Sequence, residues 1–329
     1  MTWLERQWQR LTPASLALYP VSLLFRAVTA LRRAGYTSGL LRVEHVRVPV
    51  IIVGNITVGG TGKTPLVLWL ASLLQRHGMR PGIVSRGYGT TIRGAREVRP
   101  DSDAAHVGDE PLLLARRSGC PVFVGIDRVA AANALLAAHA SCDVIVADDG
   151  LQHYRLARDV EIAVVDGARG LGNRMMLPAG PLREPPSRLD TLDAVVVNGT
   201  QSGAWPRAYA MRLEARQFRN VLNPDFAVDA AHFRGKRVLA IAGIGNPARF
   251  FTQLEALGIE FEARPFPDHH AYTRGDLALA QADAIVMTEK DAVKCALFAA
   301  ASCWVLPVDA ELDPALGELV LRKLRITRL

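Results

Sequence analysis

Short apolar runs recur along the chain at 48–53, 81–85, 121–124, 142–147, 161–165 and 193–197. Stretches of helical period lie between them. Leu66, Leu70, Leu73 and Leu74 mark a helix after the first run, and 127–139 reads as another. Runs this short and apolar on both faces predict parallel strands covered on each side. Their alternation with helices predicts an α/β fold, a doubly wound and mostly parallel sheet of the P-loop NTPase type.

The pattern changes near residue 200. Tyr209, Met211 and Leu213 alternate with Ala210 and Arg212, which predicts an antiparallel ribbon. A second α/β series follows: a run at 237–242, a turn with Gly243 and Gly245, a helix to Leu257, then runs at 284–287 and 304–306. The expected organisation is an N-terminal helical segment at 1–47, a nucleotide-binding domain at 48–205, and a ribbon linker with a smaller α/β domain at 206–329.

The N-terminal segment has its own pattern. Trp3, Leu4, Trp8 and Leu11 fall on one helical face, with Arg6 and Arg10 on another. Thr12-Pro13 then reads as a helix N-cap and first helical residue. The 15 uncharged residues between Arg10 and Arg26 fall short of the roughly 20 that a spanning helix needs, and Pro20 interrupts them. No small-residue cleavage site follows and Glu5 precedes the apolar stretch, which argues against a signal peptide. An amphipathic helix on a membrane surface is the favoured reading, and packing on the protein body is the alternative.

Charge sharpens this. The net charge is +7, and residues 1–47 hold seven arginines against two glutamates, which is +5. A basic end suits an anionic partner, either a membrane surface or nucleic acid, and its Trp- and Leu-rich character favours the membrane. The rest is ordinary: 50% hydrophobic and 22% charged residues describe a globular chain. Cys120, Cys142, Cys295 and Cys303 form no C-x-x-C pair, so a zinc site or disulfide framework is not expected.

The first apolar run leads into Gly54-Asn55-Ile56-Thr57-Val58-Gly59-Gly60-Thr61-Gly62-Lys63-Thr64. Strand, glycine loop, Gly-Lys-Thr and helix in that order predict a phosphate-binding loop. Thr57, Val58, Gly59, Gly60, Thr61 and Gly62 would offer backbone N–H groups at a helix N-terminus, Lys63 would reach the β- and γ-phosphates, and Thr64 would ligate Mg²⁺. The strict pattern places glycine where Thr57 stands.

The run at 142–147 ends in Asp148-Asp149, followed by Gly150-Leu151-Gln152-His153. Carboxylates at that edge of an open α/β sheet can hold Mg²⁺ directly or through water, and either aspartate fits. His153 could contact phosphate or acceptor. Arg86 and Tyr88, in Ser85-Arg86-Gly87-Tyr88-Gly89, would stand at the same rim, where an arginine suits an anion. Asp109, in Gly108-Asp109-Glu110-Pro111, either caps a helix or accepts a proton from an attacking hydroxyl. Pro178-Ala179-Gly180-Pro181-Leu182-Arg183-Glu184-Pro185 is a loop of the kind often found at sites.

Taken in order, these motifs resemble the tetraacyldisaccharide 4′-kinase family, the lipid A 4′-kinases of Gram-negative bacteria. The set includes the glycine loop with Thr57, Ser-Arg-Gly-Tyr-Gly, Gly-Asp-Glu-Pro, Asp-Asp-Gly-x-Gln-His and the proline-rich loop. It continues with Gly-Ile-Gly-Asn-Pro, Asp268-His269-His270 and Thr288-Glu289-Lys290-Asp291-Ala292-Val293-Lys294. The resemblance implies ATP- and Mg²⁺-dependent phosphorylation of the 4′-hydroxyl of an acylated glucosamine disaccharide 1-phosphate, giving lipid IVA. It implies a monotopic or peripheral enzyme on the cytoplasmic face of the inner membrane. Asp109 would be the catalytic base with His269 in support. Glu110, Gln152, His153, Arg183 and Glu184 would surround the acceptor or the loop beside it. No nucleic acid is expected, and the protein is expected to be a monomer. The rival reading is a membrane-surface ATPase switch of the partitioning type. Such switches carry an extra lysine early in the loop, where this chain has Thr57 and Val58.

Overall fold

The computed structural model describes residues 3–87, 94–199, 205, 207–278 and 282–327. Helices α1 (Trp3–Gln7) and α2 (Pro13–Thr37) precede β1 (Val50–Gly54), the glycine loop and α3 (Lys63–Arg76). Next come β2 (Pro81–Ser85), β3 (Arg96–Val98), α4 (Ala104–Val107), α5 (Asp109–Ser118), β4 (Val122–Val124) and α6 (Arg128–Ala138). The chain continues through β5 (Val144–Asp148), β6 (Val160–Asp166), β7 (Ala194–Asn198), β8 (Ala208–Glu214), β9 (Phe218–Asn220) and β10 (Ala227–Val228). It ends with β11 (Val238–Ala242), α7 (Pro247–Ala256), β12 (Glu262–Pro265), α8 (Arg274–Ala278), β13 (Ala284–Thr288), α9 (Glu289–Cys295), β14 (Cys303–Leu306), β15 (Asp309–Leu312) and α10 (Pro314–Thr327).

Nine strands form the first sheet in the order β15-β8-β7-β6-β1-β5-β2-β4-β3. The run from β8 to β4 is parallel, and the two edge strands are antiparallel. β1, β5 and β7 are buried along their whole length, as strands covered by helices on both faces must be. One layer packs α3, α5 and α10 on the sheet through Leu66, Leu70, Leu112 and Leu316; the other packs α6 through Val129, Leu135 and Leu136. The glycine loop leaves β1 between its neighbours β5 and β6, at the switch in strand order where such sheets bind ligands.

The second sheet, β10-β9-β14-β13-β11-β12, has six strands with apolar clusters on both faces. The division of the chain differs from the one expected. β8 does alternate, with Met211 buried and Arg212 exposed, but it extends the first sheet parallel to β7 and pairs antiparallel with β15. The last residues also return to the first sheet: Leu316, Val320 and Leu324, spaced by four, bury against its core. Nothing local in 309–327 signals this, because an amphipathic helix does not name the face it will cover.

The N-terminal segment departs from expectation in three ways. α1 ends at Gln7, so Trp8 leaves the proposed apolar face; it is buried and its Nε1 donates to the Pro178 carbonyl at 2.9 Å. The side chain of Leu4 lies outside the described set. Pro20 does not interrupt the helix: α2 runs 25 residues from its Thr12 cap, closed by a Thr12–Ser15 capping box. A proline costs one backbone bond, which a helix can forgo where neighbouring groups compensate. By length and composition alone α2 is long and apolar enough to cross a membrane.

Leu324→Ala should destabilise the first sheet by about 2–4 kcal/mol, the range for emptying a buried leucine site. Chemical denaturation monitored with and without bound nucleotide would check it; an unchanged midpoint would mean that α10 is not part of that core.

Candidate active site

The glycine loop is held by geometry that few residues satisfy. Gly62 caps α3 at φ +94, and a Cβ there would lie 2.4 Å from Asn198 Nδ2. Gly59 has φ +95. Thr57, by contrast, forms an antiparallel bridge with Leu182. On either side, Val58 N–H donates to the Pro181 carbonyl at 2.8 Å and Arg183 N–H to the Ile56 carbonyl at 2.7 Å. Position 57 is therefore extended and paired, which explains why it need not be glycine.

Lys63 stands at the start of α3 with its Nζ 3.2 Å from Asn55 Oδ1 and 3.3 Å from Asp149 Oδ1. Thr64 follows it, buried. The two aspartates after β5 have different surroundings. Asp149 has left-handed backbone (φ 51) and turns to Lys63 and to Arg183 Nη1, the latter at 3.3 Å. Burial opposes its charge, yet Lys63 and Arg183 prevail and hold it at about 2. Asp148 is buried; one oxygen accepts from Ser85 Oγ at 3.1 Å, and Oδ1 has no hydrogen-bond partner among the described residues. Burial pushes this carboxyl to about 6 despite Lys63.

Asp109 is the first residue of α5, with Gly108 as the cap, so the capping role belongs to its neighbour. Its Oδ1 accepts from Glu110 N–H and its Oδ2 lies 3.2 Å from His269 Nδ1. Burial works against its ionisation, but His269, Lys290 and Lys294 outweigh that and leave it at about 2. The hydrogen bond to Asp109 raises His269 in turn. His269 sits at φ 59, while His270 stacks on Phe266 at 4.5 Å and reaches Asp276. The structure thus pairs Asp109 with His269 rather than His270.

Several expected residues take supporting places. Gln152 donates to the Asn55 carbonyl at 3.1 Å and to Glu184 at 2.7 Å. Glu184 is buried with Tyr154 and Arg188. His153 lies 3.8 Å from Asp127, and burial together with Arg128 lowers it to about 4, so it is neutral at pH 7. Arg86 is exposed beyond β2, and Tyr88 lies outside the described residues. Glu110 pairs with Lys290 from α9.

Other residues at the rim were not singled out as site residues by the sequence reading. Ser85, Asp166 and Asn198 each end an apolar strand, a signal that a rule of looking at strand ends would have caught. Arg169 covers the loop by donating to the Gly60 carbonyl. Lys290 and Arg249 come from the second sheet, and Arg249 donates to Asn198 Oδ1 at 2.9 Å. Gly245, also from there, would place a Cβ 3.9 Å from the Gly60 nitrogen. No local pattern could place Gly245 and Arg249 beside a loop about 200 residues away in sequence, or Lys290 beside Glu110.

A family model described as tetraacyldisaccharide-1-P 4′-kinase matches residues 14–325. The chain belongs to this family. It is 54% identical over 322 residues to the tetraacyldisaccharide 4′-kinase of Azoarcus sp. (strain BH72), covering 97% of this chain and 94% of that one. It is 51% identical over 327 residues to the enzyme of that name from Methylobacillus flagellatus, covering 99% and 96%. A crystal structure of LpxK from Aquifex aeolicus in complex with ATP superposes with TM-score 0.82 at 29% identity, covering 94% of this chain and 99% of that one. The resemblance read from the ordered motifs is met, and so is the expected fold class.

The Asp148 carboxyl yields a stability prediction. Its folded pKa of about 6 stands above the ordinary 3.8, so the penalty for its charge is absent below pH 3.8 and complete above pH 6. Asp148→Asn should therefore stabilise the protein by about 1–3 kcal/mol at pH 8 and far less at pH 4. Denaturation at both pH values without nucleotide or metal would check it; equal shifts would exclude a charge origin.

Proposed function

We propose that this chain transfers the γ-phosphoryl group of ATP to the 4′-hydroxyl of an acylated glucosamine disaccharide 1-phosphate, yielding lipid IVA for lipid A synthesis. The observation that carries the mechanism is the Asp109–His269 pair, contributed by the two sheets and set at the rim that also holds Lys63 and Asp148.

Asp109 is ionised throughout the neutral range and accepts the proton of the 4′-hydroxyl. His269 orients the carboxylate and keeps it charged. Lys63 steadies charge on the transferring group, and the backbone N–H groups of residues 57–62 cradle the phosphates. Thr64 and Asp148 would hold Mg²⁺, with Asp149 behind them. The buried, unpartnered Asp148 Oδ1 and the raised Asp148 pKa fit a site made for a cation, whereas Asp149 is committed to Lys63 and Arg183. When bound, Mg²⁺ would neutralise charge on the β- and γ-phosphoryl oxygens.

The acceptor's acyl chains lie in a bilayer, so the enzyme works at a membrane surface. α2 supports this: Leu16, Leu24, Val28 and Leu31 are 56–73% exposed, an apolar surface on a helix with four arginine neighbours, Arg10, Arg26, Arg32 and Arg33. The reading places the enzyme on the cytoplasmic face of the inner membrane, where ATP is available.

The direct test is label transfer from γ-labelled ATP to the acylated disaccharide 1-phosphate in micelles. Phosphate release with no labelled lipid would favour an ATPase switch. Lys63→Ala should lower kcat by about 10²–10³ or more, as the loss of a transition-state contact does; near-normal turnover would remove the phosphate-loop assignment. Asp109→Asn should depress kcat by a similar factor with little change in ATP affinity, and an equal loss of affinity would point to a structural role instead.

A further inference from the structure

The helix α2 is inverted relative to a soluble surface helix. Its fully buried residues are two serines, Ser15 and Ser22, while Leu16, Leu23, Leu24 and Leu31 face outward. Ser15 closes the capping box. Ser22 does something else. Its hydroxyl donates to the Met176 carbonyl at 2.9 Å and accepts from Ala179 N–H at 2.9 Å. One side chain thus satisfies two backbone groups of the loop that runs from Gly172 to Arg183.

Trp8 grips the same loop from another side. Its indole N–H donates to the Pro178 carbonyl at 2.9 Å, and its own carbonyl accepts from Asn173 N–H at 2.8 Å. Gly172, at φ +56, makes room for this: a Cβ there would lie 2.5 Å from the Trp8 carbonyl oxygen. Asn173 carries the contact inward, with Nδ2 donating to the Ala179 carbonyl at 2.8 Å.

The opposite edge of that loop is bonded to the phosphate loop, through Pro181 to Val58, Leu182 to Thr57 and Arg183 to Ile56. The Arg183 side chain then reaches Asp149, which holds Lys63. An unbroken series of hydrogen bonds joins the N-terminal apolar segment to the ATP site. Buried hydrogen-bonded backbone of this kind has few alternative arrangements, so a shift at one edge is felt at the other.

We propose that Trp8 and Ser22 are positioning residues for the phosphate loop. The N-terminal segment then does more than anchor the protein: by seating residues 172–183 it sets the backbone N–H groups at 57–60 and the Arg183–Asp149–Lys63 contacts. The proposal rests on the phosphate-loop reading given above.

The test uses the full chain in detergent micelles, where recruitment to a membrane limits nothing. Trp8→Phe keeps an aromatic ring but removes the indole N–H with the five-membered ring that carries it; Ser22→Ala removes the hydroxyl. Each should weaken binding of a fluorescent ATP analogue by about 3–10-fold, the effect of one or two lost internal hydrogen bonds. The double variant should lose more than either, with unchanged association with anionic vesicles, and should bind nucleotide more weakly than Leu324→Ala although both lower the thermal midpoint. Nucleotide affinity equal to wild type in the double variant would overturn the proposal, as would an equal loss of affinity in Leu324→Ala. Two controls separate it from the readings beneath it. Leu24→Ser/Leu31→Ser should lose vesicle association and keep nucleotide affinity in micelles; loss of both would make the segment a single packing unit and overturn a role specific to Trp8 and Ser22. Lys63→Ala should lose nucleotide affinity, and if it does not, the phosphate-loop reading fails by itself.

Discussion

Asp109 opens α5 on the first sheet and His269 lies in the turn after β12 of the second, so their contact exists only while the two layers stay docked through α5 and α9. Charge holds them. Lys290 of α9 pairs with Glu110, next to Asp109, and Arg117 at the far end of α5 pairs with Glu289. Glu289 is largely buried, and burial raises it even with Arg117 beside it. Removing one member of such a pair leaves the other charge without its partner, a far larger loss than the net worth of the pair itself. The docking also sets the chemistry: His269, Lys290 and Lys294 together keep Asp109 ionised against its burial.

The same helix anchors the second sheet's contribution to the rim around the glycine loop. Thr288 caps α9, and Asp291 accepts from Gly243 N–H at 3.1 Å. Gly243 opens the turn that carries Gly245 to the phosphate loop, and α7 beyond it brings Arg249 to Asn198. The segment from Thr288 to Lys294 is thus a hub. It steadies the turn that touches the loop and the carboxylate that would take the proton.

On the other side of the phosphate loop the constraint is hydrogen bonding rather than charge. The proline-rich loop supplies the pairing that fixes residues 56–58, and Gln152 with Glu184 braces Asn55 from below. That division suits the tasks. Backbone bonds hold residues 56–58 in one arrangement, while the contacts between the two sheets near Asp109 rest on ion pairs.

The sequence by itself determined which elements carry the candidate chemistry. A short run such as Val50–Gly54, apolar on both faces, predicts an interior parallel strand, and a glycine loop with Lys63 and Thr64 after it predicts a phosphate site at a helix N-terminus. Those signals are local, set by side-chain period and backbone freedom. The carboxylates Asp148 and Asp149 were legible for the same reason, as residues at a strand end. Tertiary structure decided what local signals do not encode. It gave Asp149 to Lys63 and Arg183 and left Asp148 Oδ1 unpartnered, chose His269 over His270, returned α10 to the first sheet, and turned Trp8 and Ser22 inward. Each depends on which distant group lies within a few ångströms, and burial and pairing at that range fix a charge or a hydrogen bond more firmly than any propensity along the chain.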